Sequence, residues 1–263
     1  MKILKPINDG HGGDTFRELL DMWGEHNLCE VIPTPMIKNV WIESPGNILL
    51  YDRPILDFLP PSFKFGLFGN TVPNFPTSSP WIFWGRRPRI LEQYRKKEYL
   101  GYKERTIDSI FVGKVENPIQ LKKRTSVDWS NSTHLFEMPI SQGYPIAAYK
   151  YTQEEYLDLL RQSKFGLCLP GYGPKCNREI ELMGLGVVPI ITPGVDLTYF
   201  NPLIKDKHYI FIDNPSHLKN TISQIGQTKW EEMSLSCISW FEENCSIQGS
   251  FNTTQKILTT LPL

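Results

Sequence analysis

The chain has 263 residues, enough for one large domain or two modest ones, and 40% apolar residues with 12% aromatics exclude a disordered chain. Lysine plus arginine equals aspartate plus glutamate at 28 each, so no global field draws the protein to nucleic acid or a membrane surface. Five cysteines, at 29, 168, 176, 237 and 245, form no CxxC pair and read as free thiols in a reducing compartment, with no zinc site.

The N-terminal MKILKPINDGHGG has no apolar run of signal-peptide length, and nowhere do roughly 18 uncharged apolar residues run together as a membrane span needs. A cytoplasmic protein without a membrane span is therefore expected, and the sequons at Asn131, Asn244 and Asn252 carry no meaning there. NDGHGGDTF (8–16) packs two carboxylates, an imidazole and three glycines just ahead of a helix. That helix, DTFRELLDMWGEH (14–26), puts Phe16, Leu19, Leu20 and Trp23 on one face, with Asp14 as its N-cap. NILLYDR (47–53), KFGLFGN (64–70) and PWIFWGR (80–86) read as short apolar strands, and TVPNFPTSSP (71–80) as a loop. RRPRILEQYRKKEYLGYKER (86–105) is basic: a solvated helix and linker, or a phosphate or nucleic-acid patch diluted by Glu92, Glu98 and Glu104.

Beyond it the alternation is clearer. DSIFVGK (108–114) and HLFEMPI (134–140) read as strands, and TQEEYLDLLRQS (152–163) as a helix with Tyr156, Leu159 and Leu160 at helical spacing. KFGLCLP (164–170) is a strand, KCNREIELMGLG (175–186) a helix closed by glycines, and VVPIIT (187–192) a strand. HYIFID (208–213) and PSHLKNTISQI (215–225) add one strand and one helix; a last helix runs from about 229 to 244, followed by a tail. Strands alternating with helices at this spacing predict an α/β protein with mainly parallel sheets. The expected division is into two α/β domains, 1–102 and 103–245. The tail, 246–263, is expected to pack back on the N-terminal domain.

SKFGLCLPGYGPKCNREIELMGLGVVPII (163–191) carries the chemistry. A strand, a Gly/Pro turn and a helix N-terminus make an anion site, because unpaired N–H groups point outward there and Gly171 and Gly173 let a ligand approach the backbone. The turn has neither GxGxxG nor GxxxxGK[ST] spacing, so no dinucleotide fingerprint or P-loop is present. Arg178 falls in the first helical turn, where its charge opposes the local dipole, and Glu181 follows at i+3 on the same face. Two readings stand: an ordinary surface ion pair, or an arginine for a diphosphate beside a carboxylate for a ribose diol. Glu179 points elsewhere on the helix and is expected to be solvated.

The same run resembles the signature of the exostosin-like glycosyltransferases (family 47), SKFCLxPxG…RxxEAxxxGCxPVI. Ser163, Lys164, Phe165, Leu167, Pro170, Gly171, Arg178, Glu181, Gly186, Pro189 and Ile190 fall in register, while Leu182 and Val188 depart from it. About 40 residues match well, and FVGK (111–114) resembles the opening strand of that domain. The resemblance implies a GT-B fold, two Rossmann-like domains facing across a cleft. It further implies inverting, metal-independent transfer from a UDP-sugar, with Arg178 on the diphosphate and Glu181 on the ribose. The chain is also similar to the glycosyltransferases of large algal DNA viruses. That implies xylose from UDP-xylose as the moved sugar, a glycan or glycoprotein as acceptor, and the host cytoplasm as location.

For leaving-group charge, Lys114 after Gly113 and Arg124 in QLKKRTS are candidates beside Arg178, each read equally as a solvated surface cation; Tyr172 is placed to stack on uracil. The base is sought in the N-terminal half, where Asp14 and then His11 lead, with Asp9, Gly12 and Gly13 admitting the acceptor. Trp41, Trp81 and Trp84 either stack on the acceptor or pack the core. A non-catalytic nucleotide- or glycan-binding module is the alternative from another class.

Overall fold

The computed structural model describes residues 1–7, 16–35, 37–43, 46–52, 56–115, 117–140 and 150–262. Its chain divides into two compact units: Met1–Arg89 with Leu197–Pro202 and Phe241–Leu263, and Ile90–Asp196 with Leu203–Trp240. The first boundary thus follows Arg89, where the expected one followed residue 102, and the C-terminal return to the first unit begins at Phe241, where the expected tail began at 246.

In chain order the first unit opens with β1 (Lys2–Pro6), α1 (Phe16–Glu25), β2 (Glu30–Thr34), β3 (Val40–Glu43), β4 (Ile48–Tyr51), β5 (Phe65–Phe68) and β6 (Ser78–Pro80). The strands form one sheet in the order β2-β1-β3-β4-β5-β6, parallel except where β3 meets β1 and β4. PWIFWGR supplies only the end of β6; Trp81–Trp84 leave the sheet as irregular backbone and sink into the core. Trp81 and Trp84 both pack against Phe16, so they are core side chains and not acceptor platforms. Trp41 is half-buried beside Phe63.

The second unit follows α2 (Pro88–Arg95) with β7 (Ile107–Val112), α3 (Pro118–Thr125), β8 (Leu135–Glu137), α4 (Gln153–Arg161), β9 (Ser163–Cys168), α5 (Asn177–Gly184), β10 (Val188–Ile191), β11 (Ile210–Phe211) and α6 (Pro215–Ser223). Its sheet is wholly parallel, in the order β11-β10-β9-β7-β8. Successive side chains of a strand alternate between faces. Phe165 and Leu167 of β9 join Val188, Ile190, Leu218 and Trp230 in one cluster. Gly166, of opposite parity, meets Leu182 of α5, where a Cβ would collide. Both faces are therefore covered, which is why β9 and β10 read as nearly continuous apolar runs. In α4 the buried pair is Leu157 and Leu160 rather than Leu159 and Leu160.

The basic stretch 86–105 is not an open cationic patch. Arg89 forks onto Glu25, Arg95 bonds Glu92, and Lys97 reaches Asp158. Arg105 is 2% exposed and donates to the carbonyls of Leu100, Ser163 and Leu185, stacked against Trp230. Burial pushes its guanidinium down to about 10.

The chain closes with α7 (Gln227–Asn244) and α8 (Ile247–Thr260), so the expected tail is a helix. Ser246 caps α8, and Gly249 permits close approach to the Glu242 carbonyl at the end of α7. The buried face of α8 is unusually polar: Ser250 Oγ accepts from Trp23 Nε1 at 2.9 Å, and Thr254 Oγ1 from Trp81 Nε1 at 2.8 Å. No helix of the described residues is long and apolar enough to cross a membrane. Thr254→Val keeps the shape but strands the Trp81 N–H in a dry site. Urea unfolding is expected to show a loss of about 1–3 kcal/mol, and an unchanged midpoint would mean that the indole finds another acceptor.

Candidate functional site

The order of the second sheet reverses between β7 and β9: from β7 the chain moves outward to β8, then returns to the other side for β9, β10 and β11. In open parallel sheets such a switch point leaves a crevice beyond the carboxyl ends of the two strands, where ligands bind. The residues singled out from the sequence converge there. Gly113 and Lys114 follow β7, Gly171–Gly173 follow β9, Arg178 and Glu181 lie on α5, and Arg124 reaches in from α3.

Arg178 is 7% exposed. Its Nη2 donates to the Val112 carbonyl at 2.6 Å, and the guanidinium lies 4.3 Å from the Phe111 ring centroid. Charge in the first turn of α5 is thus tolerated because the side chain spans to the end of β7 and rests on an aromatic face. Gly113 makes this possible, since a Cβ there would strike Arg178 Nη2. Nε and Nη1 of Arg178 are buried without a hydrogen bond of ordinary geometry, although the guanidinium acts on the Tyr156 hydroxyl. At the same place Cys176, the N-cap of α5, makes no side-chain cap, so no side chain covers the helix N-terminus from that position.

Arg124 is also buried, and it staples the two loops of the switch point: Nη1 donates to the Lys114 carbonyl at 2.5 Å and Nε to the Pro170 carbonyl at 3.2 Å. Burial and the neighbouring Arg178 charge lower its pKa. Gly171 leaves room for Cys176 and the Arg124 fork, whereas Tyr172 stands 53% exposed between two buried glycines. Lys114 is 5% exposed. The reading of Lys114 and Arg124 as solvated surface cations is therefore corrected: the fold draws both inward.

The expectation for Glu179 is corrected as well. Its side chain is fully buried, and neither carboxyl oxygen makes a hydrogen bond of ordinary geometry. Burial pushes its carboxyl up to about 7, against the backbone N–H groups of Glu179 and Cys176 and the charge of Arg178. Lys175, which drew no notice in the sequence, is 2% exposed; burial pushes it down to about 8, opposed by Asp196 and Glu179. A lysine inside a glycine- and proline-rich turn was its only signal. Burial holds the Cys176 thiol up at about 11, so it keeps its proton at neutral pH.

Glu181, 2% exposed, is held from α4: Tyr156 Oη donates to Oε2 at 3.0 Å and Gln153 Nε2 to Oε1 at 3.4 Å. The simple i,i+3 surface pair with Arg178 is not what the structure shows. Among the described residues, seven Lys, Arg, Asp or Glu side chains are buried, and six of them lie here: Lys114, Arg124, Lys175, Arg178, Glu179 and Glu181. Four cations thus face two buried carboxylates, one of them readily protonated, with the partly buried Asp196 alongside. Buried charge is costly unless its hydrogen-bonding groups are satisfied, and two nitrogens of Arg178 and both carboxyl oxygens of Glu179 make no hydrogen bond of ordinary geometry here. The other candidates, Asp9, His11, Gly12, Gly13 and Asp14, lie outside the described residues.

No protein-family model and no curated protein matches the sequence. Solved structures do match the fold. The N-terminal domain of Candida albicans trehalose-6-phosphate phosphatase aligns over 69% of this chain and 49% of its own, with 12% identity and a TM-score of 0.44. An E. coli trehalose-6-phosphate structure bound with UDP-2-fluoro glucose aligns over 76% and 61%, with 8% identity and a TM-score of 0.47. The trehalose-6-phosphate synthase OtsA aligns over 76% and 60%, with 7% identity and a TM-score of 0.46. The chain spans about half to three fifths of the length of these structures.

Glu179 makes stability depend on pH in a defined direction. Its carboxyl holds a proton up to about 7 in the folded chain, against an ordinary value of 4.5. The folded state then carries the extra proton between those values, so this contribution is full below pH 4.5 and is lost as pH rises through 7. Glu179→Gln, neutral throughout, is expected to gain up to about 3 kcal/mol relative to the wild type between pH 4.5 and 8 in urea titrations. A difference that stays flat with pH would show an ordinary carboxyl.

Proposed function

We propose that the chain is a GT-B glycosyltransferase that takes a sugar from a uridine diphosphate donor and transfers it, with inversion, to a hydroxyl of a glycan or glycoprotein. The observation that carries this reading is the cationic cluster buried at the carboxyl ends of β7 and β9, with two Arg178 nitrogens lacking ordinary hydrogen bonds. A diphosphate there meets the Arg178 fork and the N–H groups at the start of α5, and supplies acceptors to the guanidinium nitrogens that make no ordinary hydrogen bond. The ribose diol reaches Glu181, and uracil covers the exposed Tyr172 ring.

In this reading the acceptor oxygen attacks the anomeric carbon as its proton passes to a base. The bond to the β-phosphate oxygen breaks, its electron pair leaving with UDP. Charge growing on that oxygen is met by Arg178, Lys114 and Lys175. Asp14, then His11, are the candidate bases, with Asp9, Gly12 and Gly13 on the acceptor side. The motif shared with exostosin-like enzymes and the likeness to glycosyltransferases of large algal viruses favour xylose from UDP-xylose, without a bound metal.

Thermal shift with UDP, followed by turnover of a UDP-sugar panel with glycan acceptors, tests the reading. UDP is expected to raise Tm and UDP-xylose to be consumed, and Arg178→Ala to weaken UDP affinity by about 10- to 100-fold. Absence of any UDP effect on the wild type would refute the reading. UDP binding without turnover across the panel would leave a non-catalytic nucleotide-binding module.

A further inference from the structure

The start of α4 is set by its own sequence. Thr152 Oγ1 accepts from the Glu155 N–H at 3.1 Å and Glu155 Oε2 from the Thr152 N–H at 2.8 Å, a reciprocal cap that places Tyr156 at the fourth helical position. From there the Tyr156 hydroxyl bonds Glu181 Oε2 at 3.0 Å, while Gln153, at the first position, makes the longer 3.4 Å contact to Oε1. Burial, and then the Glu181 charge, raises the Tyr156 pKa well above its ordinary value. The phenol therefore keeps its proton and donates a hydrogen bond to the carboxylate, with the Arg178 guanidinium opposing the upward shift. α4 packs on both α5 and β9, so the hydroxyl and the carboxylate are carried by elements fixed to each other.

We propose that Tyr156 is a positioning residue for nucleoside recognition: its hydroxyl anchors Glu181 at Oε2 and so fixes the direction in which that carboxylate meets the ribose diol. This rests on the nucleoside diphosphate reading of the same site. A carboxylate anchored at one oxygen is held in a single direction, whereas an unanchored one must be ordered by the ligand at an entropic cost.

The test titrates UDP, 2′-deoxy-UDP and inorganic pyrophosphate into the wild type, Tyr156→Phe, Glu181→Gln and the double variant, each checked by thermal melting. The wild type is expected to prefer UDP over 2′-deoxy-UDP by about tenfold or more, a lost hydrogen bond to a charged group. Tyr156→Phe should shrink that preference by roughly threefold or more and leave pyrophosphate affinity within about twofold. In the Glu181→Gln background the same substitution should change the preference no further, since the two residues act as one unit. A preference unchanged in Tyr156→Phe, whether or not Tm falls, overturns the positioning role alone. An equal fall in affinity for all three ligands overturns it too, by marking a merely structural side chain. Failure of UDP to bind the wild type overturns both this inference and the functional reading beneath it.

Discussion

Placing an arginine in the first turn of a buried helix is the constraint around which the second unit is arranged. Its charge opposes the helix dipole, so the guanidinium must leave the helix end and find support elsewhere. It finds the Val112 carbonyl and the face of Phe111, both on β7, across the point where strand order reverses. Gly113 is small because Arg178 passes there, and Gly171 because Cys176 and Arg124 do. Arg124 joins the loops following β7 and β9 through two backbone carbonyls. The glycines and cations of this region are one packing solution rather than separate features.

That solution leaves buried polar groups without ordinary hydrogen bonds. Folded interiors bury charge in compensated groups, and Arg105 shows the structural version: three carbonyls surround its guanidinium far from the switch point. The Arg178 region differs, since two guanidinium nitrogens and two carboxyl oxygens of Glu179 stand without ordinary hydrogen bonds in the same cluster. Such residual cost is uncommon in a folded interior, which is what sets this cluster apart from Arg105. The apolar β9 and β10 make the cost tolerable, because both faces of the sheet are sealed by helices and the strain sits at its carboxyl edge.

How much was legible in advance follows from the same physics. β9, α5 and β10 were readable because fully buried parallel strands are continuous apolar runs, and because α5 is followed, just past its C-cap Leu185, by Gly186, whose φ of +67° suits the left-handed turn there. β1, β2 and β3 were not read: Lys2, Lys5 and Glu30 interrupt short strands that are only partly buried. α8 was missed because Gly249, Ser250, Thr253 and Thr254 are weak helix formers, and their value lies in hydrogen bonds to indoles and carbonyls more than ten residues away or on the preceding helix. Glu179 was misread because helical spacing assigns a face but not what covers it, and here every face of α5 is buried.

The sequence by itself determined the α/β alternation, the parallel second sheet and the motif that singled out Arg178 and Glu181, because periodicity and turn chemistry are local properties. Only the tertiary structure decided that Lys114, Arg124 and Lys175 turn inward, that Glu179 is buried, and that Tyr156 grips Glu181. Those outcomes depend on which strands become neighbours at the switch point. Burial and the electrostatic cost it sets are created by segments far apart in the chain, so no local pattern records them.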